Sequence, residues 1–209
     1  MGLLMLMLGL FLFLGVHSLR IISESRRTSL LELLGEKKFK GIYSVLSLLG
    51  FLVLIAGYAE ARLTPQWIWM PPPAARHAMF LLMWLAFILW AAAYINGNVI
   101  KQRIGHPMVV GVKVWALAHL VANGQAHQMV LFAAFLFWAV LSFRSARRRD
   151  RLALLRLEEQ GLAPEPKAPV SKAANGLVLA IGTIAWMVFM AWGHKWLIGV
   201  SPFAINLGT

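Results

Sequence analysis

Apolar residues in this chain come in long runs, not in the alternation of a half-buried strand or the stripe of a soluble helix. Six runs approach the ~20 residues that a helix needs to cross hydrocarbon. They cover 2–22, 43–61, 77–96, 107–123, 128–143 and 176–197. The fourth and fifth are short, and only 124–127 separates them, which predicts a tight helical hairpin with its turn at or below the membrane interface. Residues 144–159 are dense in charge and extend the fifth run as a helix leaving the membrane. Residues 163–170 are rich in proline and read as an irregular linker. No internal repeat is visible. The expectation is an all-α, polytopic transmembrane helical bundle of about six spans, forming a single domain over 1–209.

The basic residues test that count. Loops after runs one, three and five hold Arg20, Arg26, Arg27, Lys37, Lys38, Lys40, Lys101, Arg103, Arg144, Arg147, Arg148, Arg149, Arg151, Arg156, Lys167 and Lys172. Loops after runs two and four, with the C-terminal end, hold Arg62, Arg76 and Lys195, and Lys113 falls inside run four. Sixteen against three is the bias that orients membrane helices. It puts the basic loops in the cytoplasm and both termini outside. A bacterial inner membrane is the expected location.

Composition agrees. The chain is 60% hydrophobic and 13% charged, against about 25% charged in soluble domains. The lipid bilayer is therefore the expected partner of much of its surface. The formal charge of +12 does not indicate nucleic acid, because the cations sit in short loops between apolar runs; anionic headgroups are a natural counter-surface for them. The chain has no cysteine, which excludes disulfides, thiolate metal ligands and covalent c-type haem. Trp67, Trp69, Trp192 and Trp196 sit where interfacial aromatic belts fall. The first run lacks a basic segment ahead of it and a small-x-small cleavage site after it, so it reads as a retained span.

Ionisable groups at membrane depth are costly and mark function. No Asp or Glu lies clearly inside a run, which leaves hard-cation and paired-carboxylate chemistry unsupported. What remains is imidazole: His17, His77, His106, His119, His127 and His194. Imidazole suits iron, copper, zinc or haem. His17 comes late in run one with Arg20 three residues on, so a guanidinium is placed to pair a haem propionate; the alternative is a histidine bonded to a neighbouring backbone carbonyl, with Arg20 snorkelling to the interface. His119 lies one turn after Trp115 on run four, among the small residues Gly111, Ala116, Ala118 and Ala122, which permit close helix approach. His106 precedes Pro107 at the mouth of run four, where helix capping is the plain role. His77, His127 and His194 fall near the outer interface and read individually as wet interfacial residues. A rise of ~1.5 Å per residue separates His17 and His119 by about 10 Å in depth. His17 with His106, and His119 with His77 or His194, are therefore the alternative pairs.

Several segments resemble a known family. Leu10-Phe11-Leu12-Phe13-Leu14-Gly15-Val16-His17-Ser18 resembles the opening of NnrU-family membrane proteins. The segment from Ile104-Gly105-His106-Pro107-Met108 through Gly111-Val112-Lys113-Val114-Trp115-Ala116-Leu117-Ala118-His119-Leu120-Val121-Ala122-Asn123-Gly124 is the more specific match. Tyr94-Ile95-Asn96-Gly97-Asn98 and His194-Lys195-Trp196-Leu197-Ile198-Gly199-Val200 are also similar to it. The resemblance implies a link to bacterial denitrification and nitric oxide metabolism. It also implies kinship with plant and cyanobacterial zeta-carotene isomerase, which uses haem b to isomerise a cis double bond. The ligand motifs of that enzyme fall on His17 and His119. Its cysteine falls on Ala116, so ligand exchange through that thiol is impossible here.

Three functional classes follow. One is a haem-b-binding membrane protein with His17 and His119 as ligands and Arg20 on a propionate, taking nitric oxide or an isoprenoid and capable of isomerase-like chemistry. The second is a non-catalytic accessory protein for nitrogen-oxide reductases. The third is a membrane methyltransferase, of whose Arg-His-Pro motif Ile104-Gly105-His106-Pro107 is a faint echo with Gly105 in the arginine position.

Overall fold

A computed structural model describes residues 1–166 and 168–203. Lys167, one of the basic loop residues, and residues 204–209 lie outside the described residues. The described chain is helical: α1 (Gly2–His17), α2 (Leu19–Ile22), α3 (Glu24–Leu34), α4 (Glu36–Ala61), α5 (Pro73–Tyr94), α6 (Val99–Ile104), α7 (Pro107–Ala122), α8 (Ala126–Glu159), α9 (Lys172–Val188), a π-helical turn (Phe189–Gly193) and α10 (His194–Ile198). No strand is formed among the described residues.

Four stretches are long and apolar enough to cross a membrane: Glu36–Ala61, Pro73–Tyr94, Ala126–Glu159 and Lys172–Ile198. The expectation of six spans is corrected to four. The other two apolar helices, α1 and α7, have 16 residues each. At ~1.5 Å per residue each reaches about 24 Å, short of a ~30 Å hydrocarbon layer. Local chemistry stops both. Ser18 Oγ donates to Leu14 O at 2.6 Å, a back-bond that disturbs a helix, and the chain re-aims into α2. At the end of α7, Asn123 Nδ2 donates to His119 O at 2.8 Å and Gly124 follows. Pro107 fixes the start of α7, where its missing N–H costs nothing. The fifth run and its charged extension are one 34-residue helix, α8. That is about 51 Å of helix, so its charged end projects beyond any bilayer.

Backbone contacts divide the chain into two compact units, Met1–Met79 with Ala116–Pro164, and Phe80–Trp115 with the chain from Glu165. In the first unit α1 and α4 pack antiparallel through a glycine register. Gly2 lies against Ala61, Leu6 against Gly57, Gly9 against Leu54 and Phe13 against Gly50. A Cβ on Gly50 would stand 2.7 Å from the Phe13 nitrogen, so only glycine lets the backbones meet there. The register steps by four, three and four on both helices, which keeps it on one face of each. Leu6, Leu10 and Leu54 form the buried centre, with Tyr58, Val130 and Phe135 around it. In hydrocarbon there is little hydrophobic drive between helices, so such close contact supplies the attraction. Outside this seam large apolar side chains stay open, Leu4 at 66% and Phe11 at 75% exposed. Lipid is the solvent that suits them.

The α7–α8 connection is the tight hairpin expected from the sequence, with only 123–125 between the helices. A segment after α4 covers it. Ile68 N donates to Gly124 O (2.8 Å) and Ala126 N to Gln66 O (2.8 Å). Trp69 Nε1 donates to Asn123 O at 3.0 Å. A side chain at Gly124 would collide with the Trp69 carbonyl. Trp67, Ile68 and Met70 remain more than half exposed, as befits an interfacial belt.

The second unit is built around Ile88, Ala91, Ala92 and Val178. Gly182 admits α5, since a Cβ there would lie 2.7 Å from Ile88 Cδ1. Trp84 Nε1 donates to Thr183 Oγ1 at 3.0 Å. Buried Asn98 clamps the end of α5 through Nδ2 to Ala92 O (3.0 Å) and to Ile95 O, and its Oδ1 accepts from Lys101 N at 2.7 Å. Gly97 takes a φ of 73° at this turn, and its carbonyl accepts from Ser171 N at 2.9 Å. The linker is thereby tied to the α5–α6 corner.

Candidate functional site

His17 is the last residue of α1. Its Nδ1 stands 2.7 Å from Phe13 O. A carbonyl only accepts, so Nδ1 carries the proton and Nε2 is the nitrogen left for a ligand. The ring is held by aromatics on three sides, with centroids 4.4 Å from Phe13, 5.3 Å from Tyr43 and 6.3 Å from Trp138. Metal-binding histidines are oriented in this way, by a backbone carbonyl on the far nitrogen.

His17 lines a cavity of about 410 Å³, within the range of small-ligand sites. Four cations face the same space: Arg20, Arg27, Lys40 and Arg149. Val16, Ile21, Phe39, Tyr43 and Trp138 supply apolar walls. Buried Trp138 Nε1 has no hydrogen-bond partner. Arg20 Nε is 3.0 Å from Glu24 Oε2, and Arg27 lies 4.0 Å from Glu24. Lys40 pairs with Glu36 at 2.6 Å. Arg149 donates to Ser145 Oγ at 2.8 Å.

Local sequence explains these placements. Ser23 Oγ accepts from Arg26 N and caps α3. Gly35, at φ 74°, then reverses the chain into α4, so Arg27 and Lys40 reach one space from consecutive helices. On α8, Trp138, Ser142, Ser145 and Arg149 follow the i, i+4, i+7, i+11 spacing of one face. Sequence reasoning singled out His17 and Arg20 and missed Tyr43, Trp138 and Arg149; the α8 spacing was the signal that could have found the last two.

The other histidines lie elsewhere. His119 is half-buried and stacks on Phe132, centroids 4.4 Å apart. Phe132 and Trp138, the α8 neighbours of His119 and His17, are six residues apart, or about 9 Å along the helix. The two imidazoles therefore meet α8 at different levels. His127, expected to be wet, is 2% exposed, lies edge-on to Tyr58 at 5.0 Å, and leaves buried Nε2 without a hydrogen-bond partner. His106 precedes Pro107 and its carbonyl accepts from Val110 N at 3.3 Å, the capping arrangement. His194 Nδ1 lies 2.6 Å from Val200 O and ties down the turn after α10. His77 is exposed on α5. Among the described residues no group of three or more His, Cys, Asp or Glu is placed to hold a metal ion.

No curated protein and no solved structure matches the chain. The family model described as NnrU protein matches residues 5–202, and with nearly its whole length covered the chain belongs to the NnrU family.

Proposed function

We propose that this protein is a haem-b-binding membrane protein in which His17 would hold the iron. One observation carries the reading: His17 Nδ1 is committed to Phe13 O at 2.7 Å, which leaves Nε2 for iron at the wall of a cation-lined cavity. The residues present fit the group. Imidazole supplies the iron ligand, Phe39, Tyr43 and Trp138 suit a porphyrin face, and Arg20 with Arg149 suits its propionates. Haem b supplies an iron that binds diatomic ligands and polarises alkenes.

The protein's own part is binding and orientation. The Phe13 carbonyl fixes the tautomer and the ring orientation of His17. The aromatic walls limit water at the imidazole. The cations neutralise carboxylates at the mouth. His119 meets α8 about 9 Å away in level and is the less suited of the two to hold the same iron. A haem held by His17 would suit nitric oxide, the small ligand that the family's link to denitrification points to, or isomerase-like chemistry on an isoprenoid.

The test is a visible spectrum of the full chain, expressed with ample haem and purified in detergent. A Soret band is expected in the parent and is lost in His17→Ala. A colourless parent, or a His17→Ala variant with an unchanged spectrum, overturns the reading.

A further inference from the structure

The cation-lined cavity does not end at His17. A second cavity of about 320 Å³, lined by Arg27, Leu31, Glu36, Phe39 and Lys40, shares Arg27, Phe39 and Lys40 with the first. Together they make one groove with an inner arm at His17 and an outer arm between α3 and α4. Four cations line the groove, and the carboxylates paired to them are Glu24 and Glu36. The excess is positive, and Arg27 and Lys40 line the outer arm, which His17 does not.

We propose that the outer arm binds the phosphate of an anionic phospholipid, through Arg27 and Lys40. Guanidinium and ammonium groups on neighbouring helices suit a phosphodiester, with the arginine fork bidentate and the lysine a point charge. Phe39 and Leu31 line the same arm and suit the glycerol and upper acyl carbons. Ile22 and Leu33, on the adjoining α2 and α3, are 72% and 80% exposed. Side chains like these belong at the level where headgroups meet acyl chains. Juxtamembrane cations of this kind attract anionic lipid headgroups. The Glu36–Lys40 and Glu24–Arg27 pairs are solvent-accessible and are weak enough to exchange for a phosphate.

The inference goes beyond the haem reading, and the two fail separately: the Soret band depends on His17, which does not line the outer arm, and lipid retention is read on Arg27 and Lys40. The experiment is native mass spectrometry of the full chain in detergent with added phosphatidylglycerol or phosphatidylcholine. One phosphatidylglycerol is expected to stay bound under activation that strips phosphatidylcholine. The Arg27→Gln/Lys40→Gln variant should hold it about 25-fold more weakly, a few-fold for each cation removed at a surface. Arg27→Lys/Lys40→Arg, which keeps both charges and the fold of the pair, should retain it. Equal retention of the two lipids, or unchanged retention in the charge-removed variant, overturns the proposal. Binding of inorganic phosphate without retention of phosphatidylglycerol overturns the membrane source. Failure of inorganic phosphate to compete supports an intact amphiphile.

Discussion

The two ends of α1 do opposite things with the same kind of residue. Over its first three turns, Gly2 and Gly9 are pressed against α4, and Gly57 and Gly50 answer them from the other side. Near its last turn the pattern stops. A Cβ on Gly15, or on Gly41 of α4, would meet nothing within 4 Å. Where the glycines face a partner there is no room for a ligand; Gly15 and Gly41 face outward, and beyond the last seam contact His17, Arg20 and Lys40 line the cavity. A glycine in a membrane helix is therefore informative through what stands opposite it. The closed seam fixes the direction of α1, and with it the position of His17, without using any polar group.

The largest effect is expected from closing that contrast. In Gly57→Leu the new side chain meets the Leu6 backbone, which cannot retreat without parting the seam. Overpacking of this kind costs about 3 kcal/mol, and lost close approach in lipid adds to it. Denaturation in increasing dodecyl sulfate, followed by circular dichroism, should shift to clearly lower detergent fraction. Gly15→Ala is the counterpart. With open space around it and a better helix former in place, it should gain about 0.5–1 kcal/mol. Equal losses in both variants would show that the seam and the open end do not differ.

How much of this was visible in the sequence depends on what kind of information each feature uses. Apolar runs and loop charges are one-dimensional, so the all-α membrane character, the α7–α8 hairpin and the helical extension of α8 were legible. Span number was not, because Ser18 back-bonding to Leu14 O and Asn123 bonding to His119 O end helices inside apolar runs. Nothing in hydropathy marks those bonds. The Gly2–Gly9 and Gly50–Gly57 pattern was present as spacing but has meaning only once the two helices are paired. His17 stood out as an ionisable group in an apolar run. Arg27, Lys40 and Arg149 did not, since a basic loop residue looks the same whether it faces solvent or a cavity. His127 misled for the complementary reason: a position beside a hairpin turn reads as wet, yet the packing there leaves it 2% exposed.

A smaller effect separates the two candidate ligands. His119 stacks on Phe132 at 4.4 Å and meets α8 about 9 Å from the level of His17. His119→Ala should cost about 1 kcal/mol, the worth of a stacked aromatic pair, and leave the Soret band in place. If the band bleaches as fully as in His17→Ala, both imidazoles bind the iron, and α7 and α8 must move to bring them level. Measuring the spectrum and the unfolding midpoint on the same sample separates a lost ligand from a loosened helix.

The smallest effect is expected at Arg20, and its size sharpens what the open end of α1 is. Arg20 lines the cavity, but its side chain is 54% exposed and already bonded to Glu24 at 3.0 Å. Exposed pairs of this kind contribute about 0.5 kcal/mol or less, so Arg20→Gln should leave folding nearly unchanged. A propionate would have to share the guanidinium with Glu24, while Arg149 remains. Haem affinity, read by titrating the apo-protein at the Soret wavelength, should therefore fall by no more than about fivefold, a difference of roughly 1 kcal/mol. The loss should shrink further in high salt, because screening acts on exposed charge. A hundredfold loss would mean that one guanidinium holds the propionate alone, and that the open end is a point contact instead of a field shared between Arg20 and Arg149.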